Sequence, residues 1–387
     1  MSRHTQWSRR AFLQGIGYTS GLGALSTLLP ARPHPRTAAK DGFAYVGSSD
    51  GADHSEIHVF AVRGDDWKWK QSVPSRSPAA LALHPREHTL YAANEIDEYE
   101  NLPRGTVEAY KIDPHDGSLV LVNRQPLSLS GIRPRHMAVS PDGGYLVAAI
   151  HGGGAYNILP ISADGSIGPV SQILKEIGNG THPLYQASAH PHSILFDPTG
   201  RYLLGTDEGC DRINCFAFEN GGITRTTQAL SRPVSGPGHL AMHPSSRFFY
   251  AANTLDGSID CYRCSAGAHE MHHEQRVTTN KKTEQQEEQQ LVISSSGRVL
   301  YAASRDNISV WEIDSRTGEL SFMQRWVQMN RRLRALMLSP DDRRLLVADE
   351  DQNELLSVSV DMERGKLGEA LPMARIAGLR SLAVKYI

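Results

Sequence analysis

One phrase, written seven times, constrains this chain more than any other feature. An apolar run leads into a turn of the Pro-Asp-Gly kind, then a second apolar run and a small or polar stop. The clearest copies are HMAVSPDGGYLVAA from His136 to Ala149 and ALMLSPDDRRLLVA from Ala335 to Ala348. SILFDPTGRYLL from Ser193 to Leu204 and LAMHPSSRFFYAA from Leu240 to Ala252 carry the same signal. Marking one point in the second run picks out Tyr45, Tyr91, Val147, Leu204, Tyr250, Tyr301 and Leu346, about 50 residues apart. A repeat of that length made of short strands predicts a β-propeller with four strands per blade.

The remainder of each repeat agrees. A third, alternating strand follows the second, as in Ser258–Tyr262 and Asn307–Trp311. Hairpins from Asp to Gly come next, at Asp113–Gly117, Asp164–Gly165, Asp314–Gly318 and Asp361–Gly365, with glycine supplying the positive φ such turns need. The body opens on a second-type strand, Phe43–Gly47, and closes on a lone first-type strand, Ser381–Lys385. Both halves are used only if the last strand joins the first blade, which also removes exposed sheet edges. The fold class is therefore all-β: a seven-bladed β-propeller over residues 41–387, its ring closed by the C-terminal strand. Length alone, 387 residues, would have suggested two or three domains.

Composition narrows the function classes. With 40 Lys+Arg against 42 Asp+Glu the net charge is −2, so no global positive field favours nucleic acid. Four cysteines are too few for a disulfide scaffold. Residues 1–40 read as an address and linker: Arg9 and Arg10 precede a weakly apolar, glycine-broken stretch, which looks like a twin-arginine export signal. The expectation is a periplasmic or secreted protein, without stable membrane insertion once the signal is cleaved, acting as a monomer.

In an antiparallel blade the start of the first strand lies beside the end of the second. First strands line the channel, so both sets of ends gather at one mouth. The residues opening the first strands are Ala79, Arg135, His192, Gly238, Gln289, Arg334 and Arg380, followed by Ala80, His136, Ser193, His239, Gln290, Ala335 and Ser381. Beyond the second strands stand Ser49, Glu95, His151, Glu208, Thr254, Arg305 and Glu350. Guanidinium forks match carboxylates and phosphates, and imidazoles move protons near neutral pH. A small anionic or oxygen-rich ligand is expected there.

The segments AHPHSILFDPTG, from Ala189 to Gly200, and GPGHLAMHP, from Gly236 to Pro244, resemble the seven-bladed lactonase family, the propeller type of 6-phosphogluconolactonase with its muconate-lactonizing relatives. The resemblance implies hydrolysis of a sugar-acid lactone at the mouth. It implies catalytic roles for His192, His239, Glu95 and Arg305, with His190, Arg334, Arg135, His136, Gln186 and Glu208 binding substrate. No cofactor or metal is expected, and the partner is a small lactone or sugar acid. The family's Gly-Pro-Arg-His is here Gly-Pro-Gly238-His239, its Asn-Glu is Asn253-Thr254, and its Ala-Glu is Gln289-Gln290. These losses keep two alternatives open: a non-catalytic propeller binding an anion or protein, and a lactonizing cycloisomerase.

Other signals read as structural. Cys261 and Cys264, three apart on a strand, face opposite ways, and Cys215 matches Cys261 in its own blade. His269–Glu274 and the polar run Lys281–Gln290 read as a solvated loop. Gly152–Gly154 precedes no helix pattern, and no Gly-x-Ser-x-Gly elbow exists.

Overall fold

Each apolar run becomes a strand whose two faces are both covered, which is why the second strands are apolar throughout rather than alternating. In Asp41–Ser49, Tyr45 packs against the next blade with Leu90 and Ala92, while Ala44 and Val46 pack against the preceding one with Leu346 and Ala348. Seven such cores fill the gaps between blades. The computed structural model describes residues 41–386 except 52, 53, 65, 266–269, 280–288 and 329–330. The export-signal reading of residues 1–40, and the loop reading of His269 and of residues 281–288, lie outside the described residues; Met271–Glu274, also read as loop, instead opens the outer strand Met271–Thr278, paired with Ser258–Cys264.

Seven four-stranded antiparallel sheets follow one another along the chain. Blade 1 combines Leu379–Tyr386 with Asp41–Ser49, whose register runs from Gly42 opposite Tyr386 to Ser48 opposite Leu379. The chain end thus closes the ring. The inner strands of blades 1 to 7 are Leu379–Tyr386, Pro78–Leu83, Pro134–Val139, Pro191–Phe196, Pro237–Met242, Gln290–Ile293 and Leu333–Leu338. Each touches the next around the axis, and the seventh touches the first. No helix among the described residues is long and apolar enough to cross a membrane. Among the described residues a single 3-10 turn, Glu208–Cys210, is the exception to strand and loop.

Two recurring side-chain devices bind blade to blade. The marked tyrosines donate to hairpin glycine carbonyls of the following blade: Tyr45 to Gly117 (3.2 Å), Tyr91 to Gly165 (3.2 Å), Tyr250 to Gly318 (2.8 Å) and Tyr301 to Gly365 (2.8 Å). An amide on each of several outer strands grips both backbone groups of one residue in the next blade. Gln71 does so at Leu119, Asn123 at Ile167, Gln172 at Ile223, Gln275 at Leu320 and Gln324 at Leu367. The cysteines behave as packing residues: Cys261 joins the core between blades 5 and 6, whereas Cys264 and Cys215 join that between blades 4 and 5.

Candidate functional site

Four inner strands start on proline (Pro78, Pro134, Pro191, Pro237), a position where the missing N–H does no harm. Directly after the first residue the ladder slips. Pro134 faces Ile150 and His136 faces Ala149, so Arg135 is an extra residue. Pro191 faces Asp207 and Ile194 faces Gly205, leaving His192 and Ser193 opposite one partner. The same shift frees Gly238 and His239, Arg334 and Ala335, Ala79, and Arg380. Six of the seven inner strands therefore carry a β-bulge at their mouth end. A bulge re-aims side chains, and it lets successive residues such as Arg135 and His136 line the same cavity, which strict alternation would forbid.

That cavity, about 200 Å³ at the axis, is lined by Glu95, Arg135, His136, His192, His239, Gln290, Arg334, Arg380 and Ser381 among others. On one arc the charges are paired. Glu95 accepts from Arg380 at 2.9 Å and lies 3.2 Å from Arg135, one carboxylate oxygen to each guanidinium. Arg334 donates to Glu350 at 2.5 Å. Three guanidinium groups against two carboxylates leave this arc weakly positive. Glu95, for which the resemblance implies a catalytic role, bridges and fixes two arginine forks.

On the other arc stand imidazoles. The Ile194 N–H donates to His136 Nδ1 (3.4 Å) and the Leu291 N–H to His239 Nδ1 (3.2 Å), so in both neutral rings Nε2 carries the proton. Burial pushes His136 down to about 4. His192 is 5% exposed, and neither of its ring nitrogens has a hydrogen-bond partner. Burial first, then Arg135 and the neighbouring imidazoles, hold it well below the usual histidine range. His136 and His192 on this arc thus favour the neutral form, which can take up a proton.

Six of the ten expected site residues meet at the cavity: His192, His239, Glu95, Arg334, Arg135 and His136. Arg305 does not; it is exposed on the rim, its carbonyl accepting from the Leu333 N–H. Gln186 is buried under the neighbouring loop, its amide accepting from the His182 N–H (3.0 Å) and donating to the Glu208 carbonyl (2.9 Å), so it braces backbone. His190 donates from Nδ1 to the His151 carbonyl (2.9 Å) and stacks on the His151 ring at 4.7 Å. Glu208 lies behind the cavity wall, 4.0 Å from His192 Nε2 and 3.4 Å from His151 Nε2. Arg380 completes the arginine arc; its place at the head of the last inner strand was the available signal. The bare Cα of Gly238 is covered by Thr254, whose Cγ2 lies 2.6 Å from where a Cβ would stand, so two of the family departures are one local exchange.

A second crevice, about 250 Å³, lies between blades 6 and 7, where Arg298, Arg364 and Lys366 mix with Asp342, Asp361 and Glu363. It holds no histidine.

Comparison with known proteins bears on the reading. The family model described as "Lactonase, 7-bladed beta-propeller" matches residues 43–376. The 6-phosphogluconolactonase of Bacillus subtilis is 27% identical over 333 residues, covering 84% of this chain and 92% of that protein. The 6-phosphogluconolactonase of Formosa agariphila is 26% identical over 336 residues, covering 84% and 94%. Among solved structures, a Bacteroides fragilis protein provisionally called a 6-phosphogluconolactonase superposes with a TM-score of 0.81 at 23% identity, covering 91% of this chain and 100% of its own. A periplasmic gluconolactonase of Pseudomonas aeruginosa superposes with a TM-score of 0.80 at 25% identity, covering 89% and 99%.

Proposed function

Because the chain belongs to the lactonase family of seven-bladed β-propellers, we propose that it hydrolyses a sugar-acid lactone in the axial cavity. The observation that carries this reading is the bulged mouth, which gathers imidazoles opposite paired guanidinium groups.

In the proposed reaction His192 takes a proton from water as the oxygen adds to the lactone carbonyl. The Nε2–H groups of His136 and His239 are the donors for the developing oxyanion, a role suited to His136, which burial holds down toward the neutral form. The C–O ring bond then breaks, the ring oxygen takes the proton that His192 had removed from water, and the hydroxy acid gives its own acid proton to solvent and leaves as its carboxylate. Arg135, Arg334 and Arg380 orient the ring hydroxyls and favour the anionic product. Glu95 and Glu350 offset most of their charge, which supports an unphosphorylated aldonolactone over a phosphorylated one.

Export agrees with that choice. We read residues 1–40 as a twin-arginine signal, which would put the reaction in the periplasm or outside the cell; a structural neighbour is named a periplasmic gluconolactonase. The test is hydrolysis across a lactone panel by purified protein, with Arg380→Ala beside the wild type. Acceleration over spontaneous opening, with KM raised about tenfold or more in the variant, supports the reading. No acceleration on any lactone, with aldonate binding retained, selects the non-catalytic propeller, a reading favoured by Gly238 and Gln290 where the family carries charge.

A further inference from the structure

A buried carboxylate behind the cavity wall has no part in the reaction so far. Glu208 is 1% exposed. It sits in the 3-10 turn Glu208–Cys210, pinned by its own backbone: its N–H donates to the His190 carbonyl (3.1 Å) and its carbonyl accepts from Gln186 Nε2 (2.9 Å). Asp211, which ends the turn at φ 49°, accepts the N–H groups of Val234, Ser235 and Gly236 at 2.8–3.0 Å. Gly209 allows the loop above to close on the turn, since a Cβ there would fall 1.9 Å from the Ser188 carbonyl oxygen. The side chain is thus delivered to a fixed point between two imidazoles, His151 at 3.4 Å and His192 at 4.0 Å. The His192 nitrogens and His151 Nε2 have no hydrogen-bond partner.

We propose that Glu208 is a positioning residue for His192, holding the ring for proton uptake and balancing its charge once the proton arrives, with His151 as the alternate neighbour of the same carboxylate. The inference rests on the lactonase reading and deepens it. Neither contact, at 3.4 and 4.0 Å, is a hydrogen bond in its present geometry, but both are closed by a small ring rotation or by one bridging water. The surroundings explain why a carboxylate is needed. His192 faces Arg135 and His136 from blade 3, His151 from the end of the next strand, and His239 from blade 5. All oppose a positive charge on His192. Glu95, the nearest other acid on the cavity wall, is engaged by two arginines. Glu208 is the counter-charge within reach.

The sign of the effect follows. Removing the negative charge disfavours the imidazolium, so His192 titrates at lower pH, and activity that needs the neutral base extends further into acid. The experiment pairs kinetics with histidine-labelled NMR on full-length Glu208→Gln and Glu208→Asp, the His192 signals assigned through His192→Gln. In Glu208→Gln, kcat at neutral pH falls about tenfold or more with KM within about twofold, and the acid limb of the profile moves to lower pH. Glu208→Asp recovers part of kcat, and the His192 titration midpoint drops in Glu208→Gln without substrate. A wild-type pH profile, or an unmoved His192 titration in Glu208→Gln, overturns the proposal. If no variant opens any lactone while the His192 midpoint still drops, the lactonase reading fails and the Glu208–His192 coupling stands.

Discussion

The inner strand of blade 5 carries a histidine near each end, and the two are put to opposite uses. At the far end His243 accepts the Ser245 N–H at Nδ1 (3.1 Å) and meets the Gly297 carbonyl from Nε2 (2.9 Å). His84 in blade 2 repeats this, with the Glu87 N–H on Nδ1 (2.8 Å) and the Gly143 carbonyl on Nε2 (3.1 Å). Both rings are satisfied by backbone, and both sit on a positive-φ glycine with no room for a Cβ: Gly297 at φ 71° and Gly143 at φ 80°. At the mouth His239 takes a backbone N–H on Nδ1, and His192 has a hydrogen bond on neither nitrogen. Residue type and strand are shared; hydrogen-bond satisfaction is not. A histidine with both nitrogens engaged is a brace, and one with a nitrogen left over is available for chemistry.

The sharpest way to break this contrast is His192→Ala, for which kcat for lactone opening is expected to fall about 10²–10⁴-fold. An undiminished rate in steady-state assays would move the base elsewhere. The His136 imidazole also sets a pH limit. His136 lies at about 4 in the fold against 6.5 for the unfolded chain, so it takes up its proton on unfolding. Its contribution is fully present above about 6.5 and is lost as pH falls toward 4, by up to about 3 kcal/mol. Urea midpoints across that window should fall, and His136→Gln should flatten the slope. His243→Ala is expected to lower stability by about 2–3 kcal/mol and leave kcat of the folded protein unchanged. Denaturation and kinetics on one preparation test that separation. Gly238→Ala should lose about 1–2 kcal/mol against the Thr254 methyl and regain most of it with Thr254→Ser, a non-additive cycle read by thermal unfolding. The smallest effect concerns the outer amides: Gln324→Ala is expected to lose about 1 kcal/mol.

Much of this was legible in the chain itself. The seven-fold phrase and its split ends predict the ring and its closure, because both are patterns of apolar period and chain order. The mouth roster followed from antiparallel pairing, and His192, His239, His136, Arg135 and Arg334 are at the cavity. The bulges were not legible, since an extra residue is defined only against its partner strand; the prolines at 78, 134, 191 and 237 mark them in retrospect. Gln186 looked like a site residue by nearness to His190, but its amide is taken by backbone groups that only the folded loop brings near. Glu95 was legible as a mouth residue but not as a bridge, because Arg135 in the next blade and Arg380 at the ring closure reach it only in the folded chain. The tyrosine and amide ties between blades pair residues about 40–75 positions apart, beyond any local pattern.

The account turns on the axial cavity as the place where substrate sits. A crystal structure with an aldonate, the product of lactone opening, tests it most directly. The expected result is a carboxylate between the Arg135–Glu95–Arg380 bridge and His192; an aldonate seated instead in the crevice of Arg298, Arg364 and Lys366, with the axis holding solvent, would contradict it.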